Sequence, residues 1–221
     1  IEYRLAPLHP YPAALNDAID ASLALLDNDE EKNPIIKAFI GGVGINTSNF
    51  ATIGISAGGF MSAHTSRLLA HHGKTATIQV SLVPMAKPNG GTNSMIKYWN
   101  NPFWSGTQNS FAWSVYLPGD DGTLANDWRV SLLVDPPEQE TLDKLPPVYI
   151  QINTKDVLRD EGEMYAQRLK AAGKLIGFAE YDTYHVGGVP GLDRGGPGEG
   201  SYDRALSVLM DCLNNPSNCK M

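Results

Sequence analysis

Three observations predict an α/β domain with a mainly parallel sheet. Short β-branched runs alternate along the chain with segments whose apolar residues recur at helical spacing. The first clear run, Phe50 to Ile55, passes straight into a helical segment through a glycine-rich turn, the geometry of a strand–turn–helix unit. With 221 residues, 42% hydrophobic and 19% charged, the chain is long and apolar enough to bury a full core, so it reads as one globular domain.

The elements follow in order. Residues 13–27 carry apolar side chains at helical spacing behind Pro10 and Pro12, which favour a helix start. Asn28 to Asn33 is a charged turn, and Gly41 to Asn49 is a Gly/Asn/Ser/Thr loop. Residues 50–55 form a strand, and Gly58 to His72 a helix closed by Gly73. His71 and His72 fall in that helix's last turn, and as sequence neighbours they cannot share a face to hold a metal ion. Thr77 to Val83, Val148 to Asn153 and Gly177 to Tyr184 are further strands. Helices are expected at Asp160 to Ala172, closed by Gly173, and at Ser201 to Leu213 with Ser201 as cap. Residues 86–130 break the rhythm. They hold all four tryptophans among Asn, Gly and Pro clusters, which suits a lid over a pocket; a satellite core on the sheet is compatible with the same pattern.

Composition excludes some classes. A formal charge of −7 without a basic stripe argues against a nucleic-acid partner. No apolar run is long enough to span a bilayer. Cys212 and Cys219 flank a spacer rich in turn formers, so either a small disulfide loop or two buried thiols fits. The single acceptor pattern Asn46-Thr47-Ser48 tilts the compartment toward secreted over cytoplasmic. A homo-oligomer is compatible with the sequence.

The chemistry starts at Gly54-Ile55-Ser56-Ala57-Gly58, a G-x-S-x-G pattern between a strand and a helix. In that context the serine sits on a strained turn with its hydroxyl presented outward, and neighbours without Cβ atoms make room for it. A serine hydroxyl needs a base, and the base needs an orienting group. Asp156 follows the strand Val148 to Asn153, at the carboxyl end where parallel sheets place reactive groups. Asp160 lies in the first turn of the next helix, where capping is the simpler role. His185 is the one histidine after Asp156, just past a strand. The order Ser56, Asp156, His185 is that of a nucleophile–acid–base triad.

Several blocks now resemble a known family. Tyr3-Arg4-Leu5-Ala6-Pro7, His9 to Leu15 with Asp17, Gly54 to Gly59, Leu145-Pro146-Pro147, and Asp156 to Gly162 with Tyr165-Ala166 are similar to the hormone-sensitive-lipase-like (type IV) esterases of the α/β-hydrolase fold. They occur in family order and span nearly the whole chain. The resemblance implies an α/β-hydrolase domain over residues 1–221 with a cap near 86–130. It implies Ser56 as nucleophile, Asp156 as acid and His185 as base; the Ala57 N–H is the oxyanion donor the chain itself offers, and Trp104 and Trp113, in the lid-like stretch, are candidate substrate contacts. The implied activity is hydrolysis of carboxylic esters of small to medium acyl chain, with no metal and no cofactor. An amidase or arylformamidase using the same triad, and a non-catalytic ligand-binding protein on this scaffold, are the alternatives.

The chain departs from the family pattern at Ile55, usually acidic, at Leu8, usually Glu, and at Val186-Gly187, usually Gly and an aromatic. The family also carries a His-Gly-Gly-Gly segment upstream of the Tyr-Arg-Leu-Ala-Pro block, supplying most of the oxyanion hole. Here the chain begins at that block, on what reads as the last turn of a strand, and Gly41-Gly42-Val43-Gly44 reads as a connecting loop. The expectation is therefore the carboxyl-terminal part of a longer polypeptide, with the serine strand at a sheet edge and weak catalysis if the upstream segment is truly lacking.

Overall fold

The computed structural model describes residues 1–27, 46, 48–185, 187–189 and 195–219. The expected loop at Gly41 to Gly44, the charged turn Asn28 to Asn33, Thr47 and Val186 lie outside the described residues. Helix α1 (Ala13–Asp27) precedes β1 (Ala51–Ile55), α2 (Ala57–His71) and β2 (Ile78–Leu82). Helices α3 (Asn93–Lys97), α4 (Gly106–Tyr116) and α5 (Gln139–Asp143) then lead to β3 (Val148–Asn153). The chain continues through α6 (Arg159–Ala171) and β4 (Leu175–Tyr181) to α7 (Ser201–Asn214).

The four strands pair in parallel in the order β1-β2-β3-β4. Among the described residues β1 has β2 as its one partner and lies at a sheet edge. Both faces of the sheet are covered, as parallel sheets require. Ile78, Val80, Leu82 and Tyr149 pack against Ala205, Leu209 and Cys212 of α7. On the opposite face Val148, Ile150 and Ile152 meet Ala63 of α2 and Tyr165, Ala166 and Leu169 of α6. A third cluster joins α1, α2 and α4 through Leu15, Ala18, Phe60, Met61, Trp113 and Leu117, directly beside the carboxyl end of β1.

Local signals explain the helix ends. Gly73 and Gly173 take φ of 74° and 66° just past α2 and α6. In both, the following lysine N–H reaches back to the carbonyl of a leucine, Leu69 or Leu169, at 2.8 Å. Ser105 and Gln108 form a reciprocal capping box on α4.

Three expectations need correction. Residues 1–5 form no strand. Arg4 instead clamps them to α1, its guanidinium and N–H both bonding the Asp17 carboxylate at 2.7–3.1 Å. Those bonds hold the Asp17 carboxyl down to about 2. Ser201 is not the cap of α7: Gly200, at φ 77°, holds that position, and the buried Ser201 side chain receives a bond from Gln151 Nε2 at 3.4 Å. The last strand begins at Leu175 and ends at Tyr181, earlier than the expected Gly177 to Tyr184. Gly177 is inside it because a Cβ there would meet the Tyr149 ring at 2.6 Å.

Candidate active site

Ser56 stands between β1 and α2 at φ 58°, ψ −118°, a left-handed conformation that costs a non-glycine residue on the order of 1–3 kcal/mol. Its backbone is held on both sides. The Ser56 N–H donates to the Leu82 carbonyl at 2.8 Å, and its carbonyl accepts from Phe60 at 3.0 Å and Met85 at 3.4 Å. The turn closes so tightly that a Cβ on Gly54 would lie 2.0 Å from the Gly58 carbonyl oxygen. Gly59 is less confined but still tight, a Cβ there lying 3.0 Å from the Leu82 oxygen. Gly58 itself faces open space, so the steric need for glycine falls on Gly54 and Gly59 and not on the second glycine of the pentapeptide.

The structure brings Ser56, His185 and Asp156 together from three separate strand ends. Asp156 follows β3 and is fully buried, its Oδ1 accepting from the Leu158 N–H at 3.0 Å. Its Oδ2 meets His185 Nδ1 at 2.7 Å, and His185 Nε2 meets Ser56 Oγ at 2.8 Å. A carboxylate only accepts, so Nδ1 carries the proton and Nε2 offers its lone pair to the serine O–H. The loop bearing His185 is pinned from below: Asn153 Nδ2 donates to the Tyr184 carbonyl at 2.7 Å and to those of His185 and Gly187 at 3.4 and 3.3 Å.

Asp160 is not a cap of its own helix. Its Oδ2 accepts from the Ser94 N–H at 2.7 Å, in the first turn of α3, while Ser94 Oγ donates to the Val157 carbonyl at 2.9 Å. The next residue, Glu161, falls within the family-like block Asp156 to Gly162 but carries no role from it; it is fully buried, and burial pushes its carboxyl up to about 8. In sequence it looks like an ordinary first-turn acid, and nothing there marks it as interior.

The tryptophans divide. Trp104 stacks on the His185 ring, with centroids 5.5 Å apart and planes 24° apart. Trp113 is buried and packs edge-on to Phe60. Trp99 covers Gly106, and Trp128 lies against His71 at the far end of α2. An apolar cavity of about 220 Å³ opens beside Ala57, walled by Tyr3, Phe60, Met85, Trp113 and Tyr116. Ala57 begins α2, and first-turn helical N–H groups have no acceptor within their own helix. Cys212 and Cys219 are joined as a disulfide at the end of α7, the first of the two alternatives left open by their spacing. Among the described residues no group of three or more His, Cys, Asp or Glu side chains could hold a metal ion, and no helix is long and apolar enough to cross a membrane.

A strained serine at a strand–helix turn, with a histidine and a buried aspartate on later strand ends of a parallel sheet, is the arrangement of the α/β-hydrolase fold. Residues 1–186 match the family described by the alpha/beta hydrolase fold, and the chain belongs to that family, in its hormone-sensitive-lipase-like branch. It is 32% identical over 177 residues to an arylesterase of Saccharolobus solfataricus, covering 78% of this chain and 51% of that protein. It is 30% identical over 214 residues to the carboxylic ester hydrolase LipN of Mycobacterium tuberculosis (strain ATCC 25618 / H37Rv), covering 95% and 53%. Among solved structures, a bacterial heroin esterase superposes with a TM-score of 0.81 at 28% identity, covering 96% of this chain and 63% of the other. The chain spans about half the length of the curated relatives it matches.

Proposed function

We propose that the chain carries the nucleophile, base and acid of a serine carboxylesterase acting on esters of small to medium acyl chain. One observation carries the reading: Ser56 Oγ, His185 and Asp156 lie in one hydrogen-bonded line, 2.8 and 2.7 Å per step, with the serine in a strained turn. The names of the relatives, esterases and carboxylic ester hydrolases, support the same class.

In this mechanism Ser56 Oγ attacks the ester carbonyl as Nε2 of His185 takes its proton. Asp156 holds the imidazole in the required tautomer and stabilises the positive charge that develops on it. The Ala57 N–H donates to the tetrahedral oxyanion. His185 then returns the proton to the leaving alcohol, and water, activated by the same ring, cleaves the acyl-enzyme. The apolar cavity beside Ala57 takes the acyl chain, where each buried methylene contributes about 0.8 kcal/mol. Residues 86–130 act as the cap over this space, with Trp113 forming its wall and Trp104 flanking the base.

The test is labelling of the full-length protein with a fluorophosphonate probe. Ser56→Ala abolishes labelling and hydrolysis of p-nitrophenyl butyrate together. Undiminished labelling in that variant sinks the assignment.

A further inference from the structure

The buried carboxyl of Glu161 is used by no step above, yet it connects the two halves of the site. We propose that Glu161 is a positioning residue for the Ser56–His185–Asp156 array, tying the chain segment that supports the serine turn to the helix that opens behind the acid. The inference rests on the esterase reading of that array.

The connection runs through named contacts. The segment leaving β2 supports Ser56 directly, because Leu82 accepts from the Ser56 N–H and Met85 donates to its carbonyl. The next two residues, Ala86 and Lys87, both point their N–H groups at Glu161 Oε1, at 2.8 and 3.4 Å. Glu161 lies in the first turn of α6, five residues after Asp156. The neighbouring glycine lets the helix come this close. A Cβ on Gly162 would lie 2.7 Å from Ile152 of β3 and 3.8 Å from Pro84. Glu161 thus sets the spacing between the serine turn and the acid loop, while His185 spans the gap between them at hydrogen-bond distance on each side.

The site is also sensitive to the charge on Glu161. The charged groups bearing on it are Asp156, from the loop before α6, and Lys87, from the segment after β2. Lys87 directs its ammonium to the Gly90 carbonyl, leaving no ion pair with Glu161. Its other oxygen, Oε2, is buried with no hydrogen-bond partner among the described residues. Burial raises the carboxyl to about 8, so Glu161 enters the neutral range protonated and gains a negative charge near Asp156 as the solution turns alkaline. The Ala86 and Lys87 hydrogen bonds favour that charge, so what it disturbs is the neighbouring Asp156 carboxylate, which it repels from the position that orients His185.

Three full-length variants test this with p-nitrophenyl butyrate from pH 6 to 10, at a temperature where circular dichroism shows each protein folded. The wild type loses kcat with a midpoint near pH 8. Glu161→Gln keeps an acceptor for Ala86 and Lys87 but cannot ionise, so it holds kcat within about threefold at pH 7 and loses that alkaline fall. Glu161→Ala lowers kcat at pH 7 at least tenfold, with KM changed less than threefold. An alkaline fall identical in the wild type and Glu161→Gln overturns the inference. So does wild-type kcat in Glu161→Ala; if that variant does not fold, Glu161→Gln decides alone. Ser56→Ala separates the two claims: hydrolysis surviving in it sinks the esterase reading, whereas a dead Ser56→Ala beside unaffected Glu161 variants sinks this inference only.

Discussion

The two ends of α2 hold polar groups in different ways: Ser56 at the amino end is half-buried, and Arg67 and His64 in the carboxyl half are enclosed. At the amino end Ser56 meets one partner, His185, which is itself backed by one carboxylate. At the carboxyl half Arg67 donates to four backbone carbonyls, those of Trp128, Ser131, Leu132 and Val134, at 2.7–3.2 Å, and lies over the Tyr165 ring. One turn earlier His64 is fully buried against Phe60, its pKa held well below the ordinary value by burial and by the Arg67 charge. Among the described residues neither of its ring nitrogens meets a side-chain hydroxyl or a carboxylate. Burial of a histidine does not make a base; a line of partners does. The carboxyl half is a staple that fastens residues 128–134 to the domain, and the amino half is a line along which one proton can move.

Substitutions separate the two ends. Ser56→Ala should lower kcat by roughly 10⁴ or more, while urea unfolding gives a midpoint close to wild type. A large stability loss without loss of kcat would place Ser56 with the staple. Arg67→Ala should do the reverse. Four carbonyls lose their donor, so unfolding free energy falls by at least about 3 kcal/mol, and kcat per folded molecule stays within about twofold of wild type.

Glu161 lies between the two, because the Ala86 whose N–H it holds also accepts from Leu132 of the stapled segment at 2.9 Å. Its folded pKa of about 8 exceeds the ordinary 4.5. Its contribution to stability is therefore fully present below pH 4.5 and is lost as pH rises through 8. Differential scanning calorimetry should show Glu161→Gln gaining on the wild type between pH 6 and 9 by a few kcal/mol. A constant difference across that range would mean that Glu161 does not titrate there. The smallest effect is expected at Gly58. Nothing lies within 4 Å of a Cβ there, so Gly58→Ala should change stability by less than about 1 kcal/mol, in the favourable direction for a helix. Gly54→Ala, 2.0 Å from backbone, should prevent the turn from forming.

Much of this was legible in the sequence where one local signal sufficed. Residues 13–27 form a helix with the bounds their apolar spacing predicts, and Val148 to Asn153 form a strand behind Pro146-Pro147. The meeting of Ser56, Asp156 and His185 was legible because each follows a strand of the parallel sheet. Legibility failed where one local pattern serves two environments. Gly177 reads as the start of the last strand, but it lies two residues inside it, where it makes room for Tyr149. Ser201 reads as a cap, but it packs beneath the base loop, where a Cβ on Gly188 would strike its Oγ. Glu161 and Arg67 carry no local sign of burial, because only tertiary packing encloses them. No local pattern carries that information.

The separation of the triad along the chain also has a consequence for synthesis. Ser56 and His185 are 129 residues apart, and Asp156 precedes His185 by 29. A ribosome adding roughly 5–20 residues per second makes the serine turn on the order of ten seconds before His185 exists. The nascent chain thus carries Ser56 without its hydrogen-bond partner, and the Ser56–His185–Asp156 line forms only once β4 and the loop after it have joined the sheet.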